Sequence, residues 1–226
     1  MMDAATVLLQ SFPYLLGGAV LTVAAVAGGM GLGFVIGLPL ALVQVYGPRP
    51  LRRAASVYVW FFRGVPILVQ LFLFYFGLFQ MLHWDVSAIT ATGLVLGMTS
   101  GAYQSQIFRG SILSLARGQF KAASALGLSD SQAVVFIVLP QALRLSLPGW
   151  SNEYSILLKD SALAFVLGAA EIMARTQFVA TRSYQHLAMA LAACAIYFVL
   201  TWAGVRGLRL LEARVAIPGF GSGQAK

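Results

Sequence analysis

The 226-residue sequence predicts an all-α membrane protein with five transmembrane helices, the N-terminus outside and the C-terminus in the cytoplasm. Three observations carry that expectation. The chain is 59% hydrophobic and only 10% charged, with a mean hydropathy of +0.83, whereas soluble domains carry about 25% charged residues. Its charges leave uncharged runs of 45, 21, 23 and 23 residues after Asp3, Arg63, Asp85 and Arg182, and about 20 residues of helix cross a ~30 Å hydrocarbon layer. Its basic residues gather in short loops, as they do on the cytoplasmic side of a membrane. The net charge of +8 does not point to nucleic acid, because the 15 Lys/Arg sit between apolar runs rather than along one stripe.

The elements follow in order. Residues 15–45 count as the first crossing, and 56–81, 87–112, 135–158 and 186–210 as the others. Arg49, Arg52 and Arg53 follow the first crossing, Arg117 and Lys121 the third, and Arg206, Arg209, Arg214 and Lys226 the last. One side holds all three groups only if the N-terminus is outside and the number of crossings is odd. The alternative, a hairpin within 4–48 suggested by Gly28, Gly29, Gly31 and Gly33, would split these groups between two sides. Arg63 falls inside the second helix, close enough to its end to snorkel. From Lys121 to Arg182 charges cut the chain into pieces too short to span, and Pro140 and Pro148 interrupt it. The pieces stay apolar, so this region is expected to re-enter the membrane as one broken helix sheltered by protein.

Other readings are negative. Cys194 is the single cysteine, excluding an intrachain disulfide and a multi-cysteine metal site, and is expected to be a small buried hydrophobe. Residues 1–14 contain Asp3 and no basic residue, so no cleavable signal peptide is expected. Neither a phosphate-cradling G-x-x-x-x-G-K-[ST] loop nor a G-x-S-x-G or H-E-x-x-H motif is present. The chain is therefore expected to be no enzyme, with no catalytic residue, metal or cofactor of its own. Any ATP and magnesium would be bound by another subunit.

The informative segment follows the third crossing: RGQFKAASALGLSDSQAVVFIVLPQALRLSLP. Good helix formers over 119–126 stop at Gly127, and Ser129 or Asp130 can cap the next helix with a side-chain oxygen. Alone, that is an interfacial helical hairpin. The spacing Lys121-Ala122-Ala123, Gly127, Ile137-Val138-Leu139-Pro140 resembles the E-A-A-x3-G-x9-I-x-L-P loop of ATP-binding-cassette (ABC) importer permeases. Phe62-Arg63-Gly64-Val65-Pro66-Ile67-Leu68-Val69-Gln70 resembles the F-R-G-T-P-L-L-V-Q segment of the polar amino-acid branch. Asn152-Glu153 with Leu157 to Leu163 resembles N-E…L-L-K-D-T-S-L, and Ala102-Tyr103…Gln106-Ile107-Phe108-Arg109-Gly110 resembles A-Y…E-I-x-R-G. The likeness runs from about Leu16 to Arg214. Four positions depart from it: Lys121 and Gln106 replace glutamates, and Val65 and Ala162 replace hydroxyl residues.

That resemblance implies a type I ABC importer (MetI-like) permease fold, one permease domain over 1–226 with its core at about 15–212. It implies a coupling loop at 117–140, with Gln119, Lys121, Ala122, Ala123 and Gly127 meeting an ATPase; the tail 218–226 is expected to be disordered. Implied partners are a cytoplasmic ABC ATPase dimer, a second permease subunit, an extracytoplasmic amino-acid-binding protein and the lipid of a bacterial inner membrane. A stand-alone ion-driven carrier or channel and a non-transporting assembly subunit are the competing functions. Within the membrane an isolated carboxylate needs a partner or a role, so Asp160, with Ser161 beside it, is a candidate for the substrate α-ammonium or for a pair with Lys159. Tyr103 and Gln106, three apart on one helix, share a face and either meet substrate or bond a neighbouring helix. Glu171 and Arg175 are expected to form an exposed helical ion pair, and Trp60, Phe61, Phe62 and Trp84 to be interface or lipid-facing aromatics.

Overall fold

The computed structural model describes residues 3–115 and 117–216, without the side chains of Arg117, Phe120, Lys121 and Ser124. The expectation for the tail from Pro218 lies outside the described residues, as does the Lys121 side chain. Every described element is helical. They are α1 (Ala4–Tyr46), α2 (Arg49–Gly64), α3 (Ile67–Phe72), α4 (Ala88–Ser114), α5 (Arg117–Ala125), α6 (Asp130–Ala133), α7 (Leu139–Leu145), α8 (Leu147–Asp160), α9 (Ile172–Ser183) and α10 (His186–Val215). A π-helical stretch prolongs α3 to Phe79, another joins α6 to α7, and a 3-10 turn prolongs α8 to Leu167.

Helix α1 is one unbroken rod of 43 residues, about 65 Å long at 1.5 Å per residue. The hairpin alternative is therefore wrong. The glycines that suggested it serve close packing instead. A Cβ on Gly33 would fall 2.5 Å from Gln104 Nε2 and 2.9 Å from Ser100 of α4, and one on Gly37 would fall 2.9 Å from the Gly101 carbonyl. On the facing helix, a Cβ on Gly97 would meet Leu32 at 2.6 Å. Small residues four apart let two membrane helices approach backbone to backbone, where dispersion and polar contacts replace an absent hydrophobic drive. Gly28 and Gly31 face open space and have no part in it.

Among the described residues, α1 and α10 are the two single helices both long and apolar enough to cross a membrane. Two bent pairs also qualify: Arg49–Gly64 with Ile67–Phe79, bent by 107°, and Asp130–Leu145 with Leu147–Leu167, bent by 52°. The second expected crossing, 56–81, is thus not one straight helix. Pro66 has no N–H to give, and its ring disfavours helical geometry at Val65, whose φ and ψ of −91° and 131° are extended. Gln70, wholly buried, mends the gap. Its Nε2 donates to the Phe62 carbonyl at 3.0 Å and the Val65 carbonyl at 2.8 Å, while its Oε1 accepts from Thr99 of α4 at 2.7 Å. This satisfies the carbonyls that a broken helix leaves bare in a dry interior.

The expected break after residue 121 is present. Pro140 and Pro148 each stand in the first turn of a helix, α7 and α8, where a missing N–H costs least. Helix α4, 27 residues long, is flanked by α1, α2 and α8. Its buried residues include Thr92, Thr99, Ser100, Gln104 and Ser105, polar groups facing protein rather than lipid. Three further expectations fail. Phe62 is buried, packing on Tyr58, Phe61 and Phe74. Cys194 is exposed on α10. Glu171 is no ion-pair partner of Arg175: it caps α9, accepting from the Met173 and Ala174 amides at 2.8 Å each, and accepts from Tyr197 at 2.7 Å. Arg175 turns instead to the Ala170 and Tyr14 carbonyls.

Candidate functional site

Two regions carry the residues singled out by the sequence. The first lies where the broken end of α2 meets α4 and α8. Glu153 and Asp160 are seven apart on one helix, two turns, and so share a face. Glu153 is 3% exposed, with Ser100 of α4 against its carboxylate and Asp160 and Arg63 as the neighbouring charges. Asp160 is half-buried next to Lys159. The Arg63 guanidinium sits over the Tyr103 ring, 5.1 Å from its centre. The break at Val65–Pro66 is what ends α2 with Arg63 at this place. Glu153 and Asp160 thus share one face of α8, and the exposed Arg63, stacked on Tyr103, is the cation whose field reaches Glu153, inside segments otherwise apolar.

The four candidate substrate residues do not converge. Asp160 and Tyr103 belong to this first region through Glu153 and Arg63. Ser161 is turned into the protein: it is buried, donates to the Leu158 carbonyl at 2.7 Å, and faces Tyr197. Gln106 donates to Gln44 Oε1 of α1 at 2.8 Å and to Ser105 at 3.1 Å, and it lines a separate cleft with Arg52 and Arg109. The helix–helix bond was one of the two expectations for Gln106, and it is present. Glu153 and Arg63 are the residues sequence reasoning underrated. Glu153 had no partner within helical spacing, because its neighbours come from α2 and α4; its place in the Asn152-Glu153 motif was the available signal.

The second region is the α5–α6 hairpin. Helix α5 ends in a Schellman arrangement: the Leu128 N–H reaches back to the Ala123 carbonyl at 3.1 Å, and Gly127 takes φ +78°, where a side chain is strained. Ser129 then caps α6 in a reciprocal capping box with Gln132, the Gln132 N–H at 3.4 Å and the Ser129 N–H at 2.9 Å from their acceptors. Ala123 is buried against the protein while Ala122, Ala125 and Leu126 are exposed, Leu126 by 80%. Gln119 does not point outward. It exchanges two hydrogen bonds with Gln141 of α7, at 3.0 and 2.7 Å, and Gln141 also donates to the Ile137 carbonyl at 2.8 Å. The hairpin is fastened to α7 by this exchange, with Ala122, Ala125 and Leu126 outward among its described side chains.

Known proteins share this architecture. Residues 29–217 match the family described as "Binding-protein-dependent transport system inner membrane component". A probable amino-acid ABC transporter permease of Bacillus subtilis (strain 168), YckA, is 35% identical over 208 residues, 92% of each chain. The octopine transport system permease OccQ of Rhizobium radiobacter is 34% identical over 86% of each chain. The arginine transport system permease ArtQ of Bacillus subtilis (strain 168) is 33% identical, covering 85% of this chain and 88% of its own. Among solved structures, an amino acid ABC transporter described with histidines superposes with a TM-score of 0.85 at 30% identity, over 95% of this chain and 99% of its own. The inward-facing MetNI methionine ABC transporter gives 0.72 at 20% identity, over 89% and 97%, a likeness of fold alone. The chain thus belongs to the binding-protein-dependent transport permeases, in their amino-acid ABC importer branch, and is a non-catalytic, multi-pass inner-membrane subunit.

Proposed function

We propose that the chain is the transmembrane subunit of an ATP-driven amino-acid importer, forming the substrate pathway and taking its power from a cytoplasmic ABC ATPase dimer. ATP and magnesium belong to that ATPase. In this reading five segments cross the membrane: α1, the bent α2–α3 pair, α4, the bent α6–α8 unit and α10. The N-terminus is outside and the C-terminus cytoplasmic. A second permease subunit completes the pathway, and an extracytoplasmic binding protein delivers the amino acid.

The observation that carries the proposal is the α5–α6 hairpin. Ala122 and the reversal at Gly127, exposed with Ala125 and Leu126, fit a groove on a partner while Ala123 seats the helix on the permease; Lys121 lies on the same helix, and the Gln119–Gln141 exchange passes a push on α5 directly into α7 and so to α8. At the other end of α8, Asp160 accepts from the substrate α-ammonium, with Glu153 as the second carboxylate and Tyr103 and Arg63 as the wall. A substrate carboxylate is held by Arg63. Ser161, turned inward to the Leu158 carbonyl, stays out of the pathway in this conformation, and Gln106 reaches substrate only if its bond to Gln44 opens. The names of the octopine and arginine relatives support a polar amino acid.

The test is reconstitution. Proteoliposomes holding this chain with its ATPase should take up an amino acid on addition of ATP, with hydrolysis stimulated by the loaded binding protein. Uptake by the chain alone, driven by an ion gradient, would overturn the proposal in favour of a secondary carrier.

A further inference from the structure

Two clefts on the side where α1, α2 and α4 meet share Arg52 and Ser56. One, of about 300 Å³, has Gln44, Arg52, Ser56, Trp60, Gln106 and Arg109 in its wall. The other, of about 510 Å³, adds Arg49, Arg53 and Val57. No acidic residue is among the described residues lining either. Arg52 donates to the neutral Gly47 carbonyl at 3.2 Å, which leaves its charge uncompensated. The Gln44–Gln106 pair adds neutral amide groups to the same wall. Four guanidiniums therefore line the two adjoining clefts, and neither Glu153, Asp160 nor a described residue of α5 is among the lining.

The rim is apolar on one flank. Trp60 is 77% exposed and Val57 64%, three apart on α2, and α2 meets the following segment at 107° rather than continuing it. The start of α2, with Arg49, Arg52 and Arg53 followed by exposed Val57 and Trp60, has the make-up of the interfacial end of a span. Basic pockets between helices at that level bind phosphate headgroups. A phosphodiester with a glycerol and an acyl chain matches both flanks, arginine and amide for the head, Trp60 and Val57 for the chain.

We infer that the cleft between α1, α2 and α4 seats an anionic phospholipid, its phosphate held by Arg52 and Arg109, and its acyl chain along Trp60. The full chain, in vesicles of phosphatidylcholine with a minor fraction of phosphatidylglycerol, tests it. Either lipid is brominated in turn, and quenching attributable to Trp60 is taken as the difference between the wild type and Trp60→Phe. Brominated phosphatidylglycerol should act at about tenfold lower mole fraction than brominated phosphatidylcholine, and Arg52→Gln with Arg109→Gln should abolish the difference. Arg214→Gln, on the far end of α10, should leave it unchanged. Equal quenching by both lipids, or none by either because a second copy covers Trp60, overturns the inference. So does a preference that survives the double change or falls equally with Arg214→Gln. Loss of the preference on adding inorganic phosphate at constant ionic strength would give the cleft to a soluble anion instead.

Discussion

Gln70 shows how one side chain can hold a broken helix. It has four hydrogen-bonding sites, and three of them close on Phe62, Val65 and Thr99 in a position with no access to water. Leucine there would strand two carbonyls and a hydroxyl. Each such group costs about 1–3 kcal/mol, so Gln70→Leu should lower stability by roughly 3 kcal/mol or more, read as a drop in the Tm of the detergent-purified protein. An unchanged Tm would mean the break is held by other contacts. Asp160 and Glu153 set a different expectation. Asp160→Asn keeps size and loses charge, so uptake should fall about tenfold or more, the scale of one charge-assisted hydrogen bond, while ATPase assembly stays intact. Wild-type uptake would remove Asp160 from the pathway.

Among the elements, the α5–α6 hairpin was the most legible in sequence, because its ends are written in local chemistry. Gly127 and Ser129 each act within four residues of themselves, and both do what their types dictate. Glu171 and Arg175 were misjudged for the opposite reason: helical spacing made them look paired, but Glu171 stands at the first position of its helix, where free amides outcompete a guanidinium, and Tyr197 arrives from α10. The Gln119–Gln141 exchange and the Gln70–Thr99 bond could not be read locally either, since those partners lie 22 and 29 residues away. The hairpin makes its own prediction. Gly127→Val puts a β-branched residue at φ +78°, a strain of roughly 1–3 kcal/mol localised at the reversal, and should leave the permease folded while ATP hydrolysis no longer drives uptake. Gln119→Leu and Gln141→Leu, in a double-mutant cycle, should show coupling of about 0.5–3 kcal/mol. Additive effects would mean that the exchange transmits nothing.

At the scale of the whole molecule, the charge gaps located the long helices, while the glycine run in α1 left a hairpin open as the alternative to a single crossing. Periodicity cannot say whether a glycine is a turn or a contact; the partner surface decides. The side on which each loop lies is open to a direct check. In a Cys194→Ser background, a cysteine at Ser129 should be labelled by an impermeant maleimide only from the cytoplasmic face, and one at Asp3 only from the opposite face. Labelling of Ser129→Cys from outside would reverse the orientation and detach α5 from any ATPase.

The length of α1 has a mechanical corollary. A rod of about 65 Å exceeds the span of an ordinary bilayer with its headgroups, about 40–45 Å, so it must lean or stand proud. Because α4 is locked to it through glycines, the two share one inclination. Acyl-chain length then becomes a handle on the permease: shorter lipids steepen the lean of the whole α1–α4 pair, and the turnover of the transporter should follow the thickness of the membrane that houses it.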